Sequence, residues 1–382
     1  MPLIDRRALL TGLILSPPLL ASCGTLDAQN DDGIAQSVFG KTPDGEPVSL
    51  FVLTNRSGAR ASIMSYGATL TSFIVPDRDG RPGEVVLGLD TFEEYLARSR
   101  NFGATVGRYA GRIAEGRFTL DGKVVELETA GSRHSSHGGP IGFAKRNWTA
   151  TPTVTGQGPG VSLSLVSADG DQGFPGELRI TLVYRLTHDN RLMLDFTATT
   201  SKPTVLNPTH HSYFNLSGDP ERLILDHELL IDADRFTPFD ADKVVTGELR
   251  SVAGTPFDFR TANRIGADIN ADDDQIRIGG GYDHNFVVRG TPGVLRRAAA
   301  AWDSFSGRTL QLWTTEPGVQ LYTANSVEMT GRGGARYAPR CGFCLEPQHF
   351  QNSPNRPEFP STVLRPGQTW RSHSEYRLGV FV

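Results

Sequence analysis

Cysteine is scarce in this chain, three residues in 382, which excludes a small fold stapled by disulfides. Two of the three form a C-x-x-C, Cys341 and Cys344, but the segment Cys341-Gly-Phe-Cys344-Leu-Glu-Pro reads as extended. Residues three apart on a strand point to opposite faces, too badly placed to close a bridge, and no helix start follows as a thioredoxin-type site requires. Two reduced or buried thiols are expected. A basic run is also missing. Lys and Arg number 38 against 42 Asp and Glu, a net charge of −4, which excludes a protein that tracks nucleic-acid phosphates by charge. Long hydrophobic runs are absent too: the stretch from Ala8 to Ala21 is broken by Gly12 and Pro17-Pro18, too short and interrupted for a stable transmembrane helix. What remains, 38% apolar and 21% charged residues, is the composition of a soluble globular chain and excludes a disordered one.

Arg6-Arg7 followed by that short apolar stretch has the layout of a secretory signal. It ends Leu20-Ala21-Ser22-Cys23, which resembles the lipobox of bacterial lipoproteins, where the signal is cut before the Cys and the thiol is acylated. The expectation is a signal over 1–22, a lipidated Cys23, a polar tether over 23–36 and one catalytic domain over 37–382, exported to the periplasm or held at a membrane only through that lipid. An ordinary cleavable signal with an incidental Cys is the other reading. Arg6-Arg7 also resembles part of a twin-arginine signal, with the surrounding pattern incomplete.

From Val48 onward, apolar and polar residues alternate with a period of two, broken by turn signals. Val48 to Thr54, Ala61 to Val75, Val161 to Val166, Leu178 to Leu186 and Leu192 to Thr199 read as strands. Arg117 to Leu127 reads as a hairpin around Asp121-Gly122, the pair a type I′ turn favours. Helix signals are few: Thr91-Phe-Glu-Glu94 is a capping box opening a short helix toward Ala97, and a brief helical piece is expected near Asp240 to Lys243. Many strands with loop-rich connections predict an all-β fold, a large antiparallel β-sandwich.

Four segments concentrate polar chemistry: Gly107-Arg-Tyr-Ala-Gly-Arg112-Ile113, His134-Ser-Ser-His137-Gly-Gly, Asn207 to Asn215 with His210-His211-Ser-Tyr213, and Leu345-Glu346-Pro-Gln348-His-Phe350. Strand alternation puts His211 with Tyr213 and Glu346 with Gln348 on common faces, and Asp283 with Asn285 likewise. Polar groups on an aromatic floor make a pocket of carbohydrate type. A carboxylate at Glu346, among Phe343, Leu345 and Pro347, is expensive unless paired or used. His134 and His137 could be half a metal site, but no H-E-x-x-H or paired Cys/His set completes one, so no metal is expected.

Taken in order, these segments resemble the aldose 1-epimerase (galactose mutarotase) family from about Phe39 to the C-terminus. Supporting matches are Gly142-Phe143 with Trp148, Asp169-Gly-Asp-Gln-Gly-Phe-Pro175-Gly176, Thr255-Pro-Phe257-Asp-Phe259, Gly281-Tyr-Asp283-His-Asn-Phe and Pro317-Gly-Val-Gln320-Leu-Tyr322-Thr. The resemblance implies a β-supersandwich that interconverts the anomers of a free aldose such as glucose or galactose, without a cofactor. It makes Glu346 the general base and His211 the general acid, with Arg112, His137, Tyr213, Asp283 and Gln320 lining the sugar site. The chain departs from the family at Gly111 and His210, where Asn is common, and in the loop Ala130 to His134.

Competing readings are a non-catalytic carbohydrate-binding protein, a lyase or hydrolase on the same sandwich with Asp283 and Glu346 as its carboxylates, and an epimerase of phosphorylated or acidic sugars. The last would require extra basic residues in the groove, and Arg112 is the one cation among the matched positions. The preferred aldose and the oligomeric state are not legible.

Overall fold

The computed structural model describes residues 33–381. The signal over 1–22, Cys23 and the tether up to residue 32 lie outside the described residues. The expected tether ends sooner than residue 36, because Ile34–Lys41 is already a strand paired with Pro47–Thr54.

Three antiparallel sheets carry the architecture. A five-stranded meander runs in chain order from Ile34–Lys41 to Pro82–Glu84. A nine-stranded sheet contains Thr149–Thr155, Gly158–Ser167, Leu178–Leu186 and Arg191–Thr200 as successive neighbours, then the C-terminal strand Trp370–Val380, Arg308–Thr314 and Arg296–Trp302. A six-stranded sheet is ordered Tyr213–Phe214, Phe343–Gln348, Gly318–Tyr322, Asp283–Val288, Ala233–Thr237, Arg250–Ser251. The period-two reading is visible in Leu178–Leu186 and Arg191–Thr200, where every second side chain is buried. One continuous core joins the sheets: Phe51 and Phe73, Leu163, Leu182 and Leu312, and Phe236, Phe286 and Leu345 belong to a single apolar cluster. Burial of this area is the main stabilising term. The predicted β-supersandwich is the observed fold.

Local signals behave as their chemistry requires. Asp121 and Gly122 both adopt positive φ (50° and 77°), the type I′ geometry that closes Arg117–Leu120 onto Lys123–Glu126. The helix Phe92–Arg98 starts at Thr91 with the capping box complete. The segment read as Ala61 to Val75 is two strands, Arg60–Met64 and Thr69–Pro76, folded back on one another. The helix expected near Asp240 to Lys243 is a turn. The Asp240 side chain accepts hydrogen bonds from the backbone N–H of Asp242 and Val244, which gives the chain an alternative to helix. A helix lies instead at Asp274–Gly279, capped by the Asp273 carboxylate and ended by Gly280 at φ 70°.

Candidate active site

The strand Phe343–Gln348 is buried on both faces. Phe343 and Leu345 turn into the apolar core, and alternation sends Cys344, Glu346 and Gln348 to the other face. Register then sets side chains in rows on that face. Cys344 lies opposite Tyr213 on one side and Tyr322 on the other, and Tyr322 opposite Asp283. Glu346 lies opposite Gln320, and Gln320 opposite Asn285. Gln348 lies opposite Gly318, where any side chain would meet Asn285.

Two further segments close over these rows. Thr209–His211 pairs with Ala104–Val106 and carries His211 above Glu346. Arg112–Ile113 pairs with Ser135–Ser136, which places the following His137 against Gly111: the His137 N–H donates to the Gly111 carbonyl at 3.0 Å. His137, Gly138 and Gly139 all have positive φ. At Gly138 a Cβ would lie 1.8 Å from the Gly107 carbonyl oxygen, so this turn has no room for another residue.

The cavity that these segments form has a volume of ≈ 610 Å³, within the range of small-molecule sites. All seven residues assigned from sequence, Arg112, His137, His211, Tyr213, Asp283, Gln320 and Glu346, line it. His211 Nε2 is 3.7 Å from a Glu346 carboxylate oxygen, with 6% and 3% of the two residues exposed. The His211 ring stacks on Tyr213 at 5.1 Å and meets His137 edge-on at 5.6 Å. Gln320 donates to Asp283 at 2.8 Å and accepts from Gln351 at 3.2 Å, an amide chain that holds the carboxylate in place.

Burial dominates the electrostatics, because a charge withdrawn from water is disfavoured. It drives the Glu346 carboxyl well above its ordinary range, with the nearby Asp283 adding to the rise. Asp283 is raised to about 6 by burial, against the pull of Arg112, the Gln320 hydrogen bond and Lys243. Burial lowers His211 to about 3, helped by His137, and His137 to about 4, helped by Arg112. Burial therefore favours the uncharged form of each partner, the carboxyl over the carboxylate and the neutral imidazole over the imidazolium.

His134 does not join His137. Its Nδ1 accepts from the Glu115 N–H at 2.9 Å, beside Arg133 and outside the cavity. His210 points to the core, packed edge-on against Tyr184 and Tyr376 with Nε2 on the Ser212 hydroxyl, and so supports the strand from behind. Arg108 is likewise structural, its guanidinium spent on the carbonyls of Pro175, Gly176 and Ser167. Cys341 and Cys344 are free and buried. His211, Cys344 and Glu346 bring nitrogen, sulfur and oxygen donors within 4.8 Å. The two imidazole nitrogens already face Cys344 and Glu346, and burial holds the Cys344 thiol protonated, an arrangement made for moving protons rather than for ligating a cation.

Sequence reasoning did not assign Tyr322, Gln348, Gln351, Arg100, Lys145 and Lys243, which also line the cavity, nor Cys344, which lies behind it against the His211 ring. Gln348 and Cys344 were within reach, since they alternate with Glu346. Gln351 was not: it enters from beyond the strand end, over Gly111, where a Cβ would sit 2.3 Å from its side chain. The three added cations come from loops far apart in the chain.

Comparisons with known proteins identify what the chain as a whole is similar to. The aldose 1-epimerase family model matches residues 49–377. The chain is 41% identical to a galactose mutarotase of Bos taurus over 350 residues, covering 91% of this chain and 99% of that protein. It is 41% identical to an aldose 1-epimerase of Escherichia coli K12 over 338 residues, 88% and 96% of the two chains. Among solved structures, a galactose 1-epimerase from Lactobacillus acidophilus superposes with a TM-score of 0.81 at 28% identity, covering 94% of this chain and 100% of that one.

Proposed function

The chain belongs to the aldose 1-epimerase family, and from that premise we propose how its own side chains carry out the interconversion of α and β aldose anomers. The observation that carries the assignment is the single one of His211 Nε2 and the Glu346 carboxylate 3.7 Å apart on the floor of a sugar-sized cavity. Glu346 takes the proton from the anomeric hydroxyl, and that O–H pair becomes the second bond of the aldehyde. The bond between C1 and the ring oxygen breaks toward oxygen, which takes a proton from His211. Rotation about the C1–C2 bond presents the other face, and the reverse transfers reclose the ring.

Atoms and charge balance without a cofactor. The pair enters as carboxylate and imidazolium and, in the open-chain state, becomes a carboxylic acid and a neutral imidazole. That second state is the uncharged one, the form that burial favours. Sugar hydroxyls donating to Glu346, and the attraction between opposite charges at this separation, return the proton to His211 for the closed form. Asp283, steadied by Gln320, accepts from sugar hydroxyls; Arg112 and His137 flank the reacting centre; Tyr213 and Tyr322 give the ring its apolar contact.

Polarimetry on freshly dissolved α-glucose and α-galactose tests this reading. Equilibration faster than the uncatalysed rate is expected, and a rate unchanged by protein would leave only a sugar-binding role.

We further infer an exported lipoprotein acylated at Cys23, supported by the lipobox-like Leu20-Ala21-Ser22-Cys23 and the preceding Arg6-Arg7. The ten residues from 24 to 33 could reach at most roughly 35 Å from that thiol, which would hold the domain close to a membrane face. Labelling with a radioactive fatty acid should mark the wild type and not Cys23→Ser; equal labelling of both would refute it.

A further inference from the structure

The mouth of the cavity has a charge that the catalytic floor does not need. Beyond Arg112, which flanks the reacting centre, three more cations line it, Arg100, Lys145 and Lys243, contributed by three separate segments. None of the four has a carboxylate within 4.0 Å, among the described residues. This is not for want of partners. Arg146, next to Lys145, pairs with Asp171 at 2.6 Å, and Asp242, next to Lys243, is taken by Arg133. Lys145 and Lys243 have only the carbonyls of Pro140 and Gly279. The acids of the cavity are two, Asp283 and Glu346, both assigned to hydroxyls and to the reacting centre. So a chain of net charge −4 presents a cationic funnel at its one catalytic opening, and a cleft lined by one sign of charge concentrates ligands of the other.

We propose that the preferred substrate is an aldose carrying a negative group, a carboxylate or a phosphate ester, seated against Arg100, Arg112, Lys145 and Lys243 while its anomeric centre meets Glu346 and His211. A neutral hexose brings no opposite charge to Arg100, Lys145 and Lys243. Arg112 offers a planar donor pair suited to either anion, and the lysines act as point charges beside it. The proposal rests on the mutarotase reading of the same cavity and adds the substrate class.

The test is exchange NMR between the anomers at equilibrium, on the full folded chain, with galactose, galacturonate and galactose 6-phosphate compared at low and high salt. The expected result is a kcat/KM for one of the two anionic sugars at least tenfold above that for galactose. The two anionic arms separate carboxylate from phosphate. The advantage should shrink at high ionic strength, and an Arg100→Gln, Lys243→Gln double variant should narrow the ratio between anionic and neutral sugar. Galactose turned over as well as or better than both anions overturns the proposal and leaves the mutarotase reading standing. Exchange accelerated for no sugar removes the mutarotase reading itself, and the proposal with it.

Discussion

The Cys344 sulfur lies 3.5 Å from His211 Nδ1, on the side of the ring opposite Glu346. Burial lifts this thiol well above its ordinary range, so it stays protonated and has a proton to donate. An S–H donated to Nδ1 of the neutral ring leaves the proton on Nε2, the nitrogen that faces the carboxylate. Cys344 therefore acts as a positioning residue that selects the His211 tautomer. Cys344→Ala should lower kcat about tenfold with KM little changed, and Cys344→Ser, which keeps a donor, should restore most of it. Nitrogen-15 shifts of His211 should show the Nε2–H form losing ground in the alanine variant. An alanine variant with wild-type kcat and an unchanged tautomer would end the argument.

Glu346 and His211 pass protons to the same molecule, so they should fail together. Glu346→Gln or His211→Ala should each cost about 10²–10⁴-fold in kcat. The double variant should be little worse than the weaker single one, since groups that act as a unit are not additive. Circular dichroism should show all three folded. Multiplying losses would mean that the two residues work independently.

Asp283 sets a pH limit. Its carboxyl is raised in the folded protein to about 6 from 3.8, so KM should rise as pH falls through about 6 and the acceptor is lost. The same shift bears on stability. Between about pH 4 and 6 the folded state binds more protons at this group than the unfolded one, so its contribution to stability falls as pH rises through that window. Asp283→Asn should then stabilise the fold at pH 7.5, by about 1–2 kcal/mol once its partial exposure to the cavity is allowed for, and leave stability at pH 4 nearly unchanged, while weakening sugar binding. Equal effects on Tm at both pH values would contradict the cause assigned to the shift.

The fold and the floor of the site were legible in the sequence because both depend on local repeats. Alternation alone placed Glu346 with Gln348 and His211 with Tyr213, and turn chemistry placed the Asp121-Gly122 hairpin and the Thr91 cap. Family resemblance then supplied the roles. The mouth was not legible. Arg100, Lys145 and Lys243 sit in loops with no shared period, and only tertiary folding brings them to Arg112. The missed helix Asp274–Gly279 is one short turn and a half, too brief to show a period, and the false one near Asp240 was a side chain competing for backbone donors.

Gly138 tests how tightly the His137 turn is built. With φ 86° and a carbonyl oxygen 1.8 Å from where a Cβ would lie, Gly138→Ala should destabilise the fold by about 1–3 kcal/mol or more. It should raise KM as His137 is pushed out of line. A variant with unchanged Tm and KM would show that the loop relaxes freely.

The C-terminal strand Trp370–Val380 is bonded on one side to Arg191–Thr200 and on the other to Arg308–Thr314, in the interior of the nine-stranded sheet. This strand is therefore the keystone between two strands that precede it in the chain. At about 5–20 residues per second, a ribosome takes roughly three to eleven seconds from Thr314 to Trp370, and over that interval two strand edges wait without a neighbour. Bare edges of this kind invite pairing between nascent chains, so a chain cut just before Trp370 should leave both strands open to it.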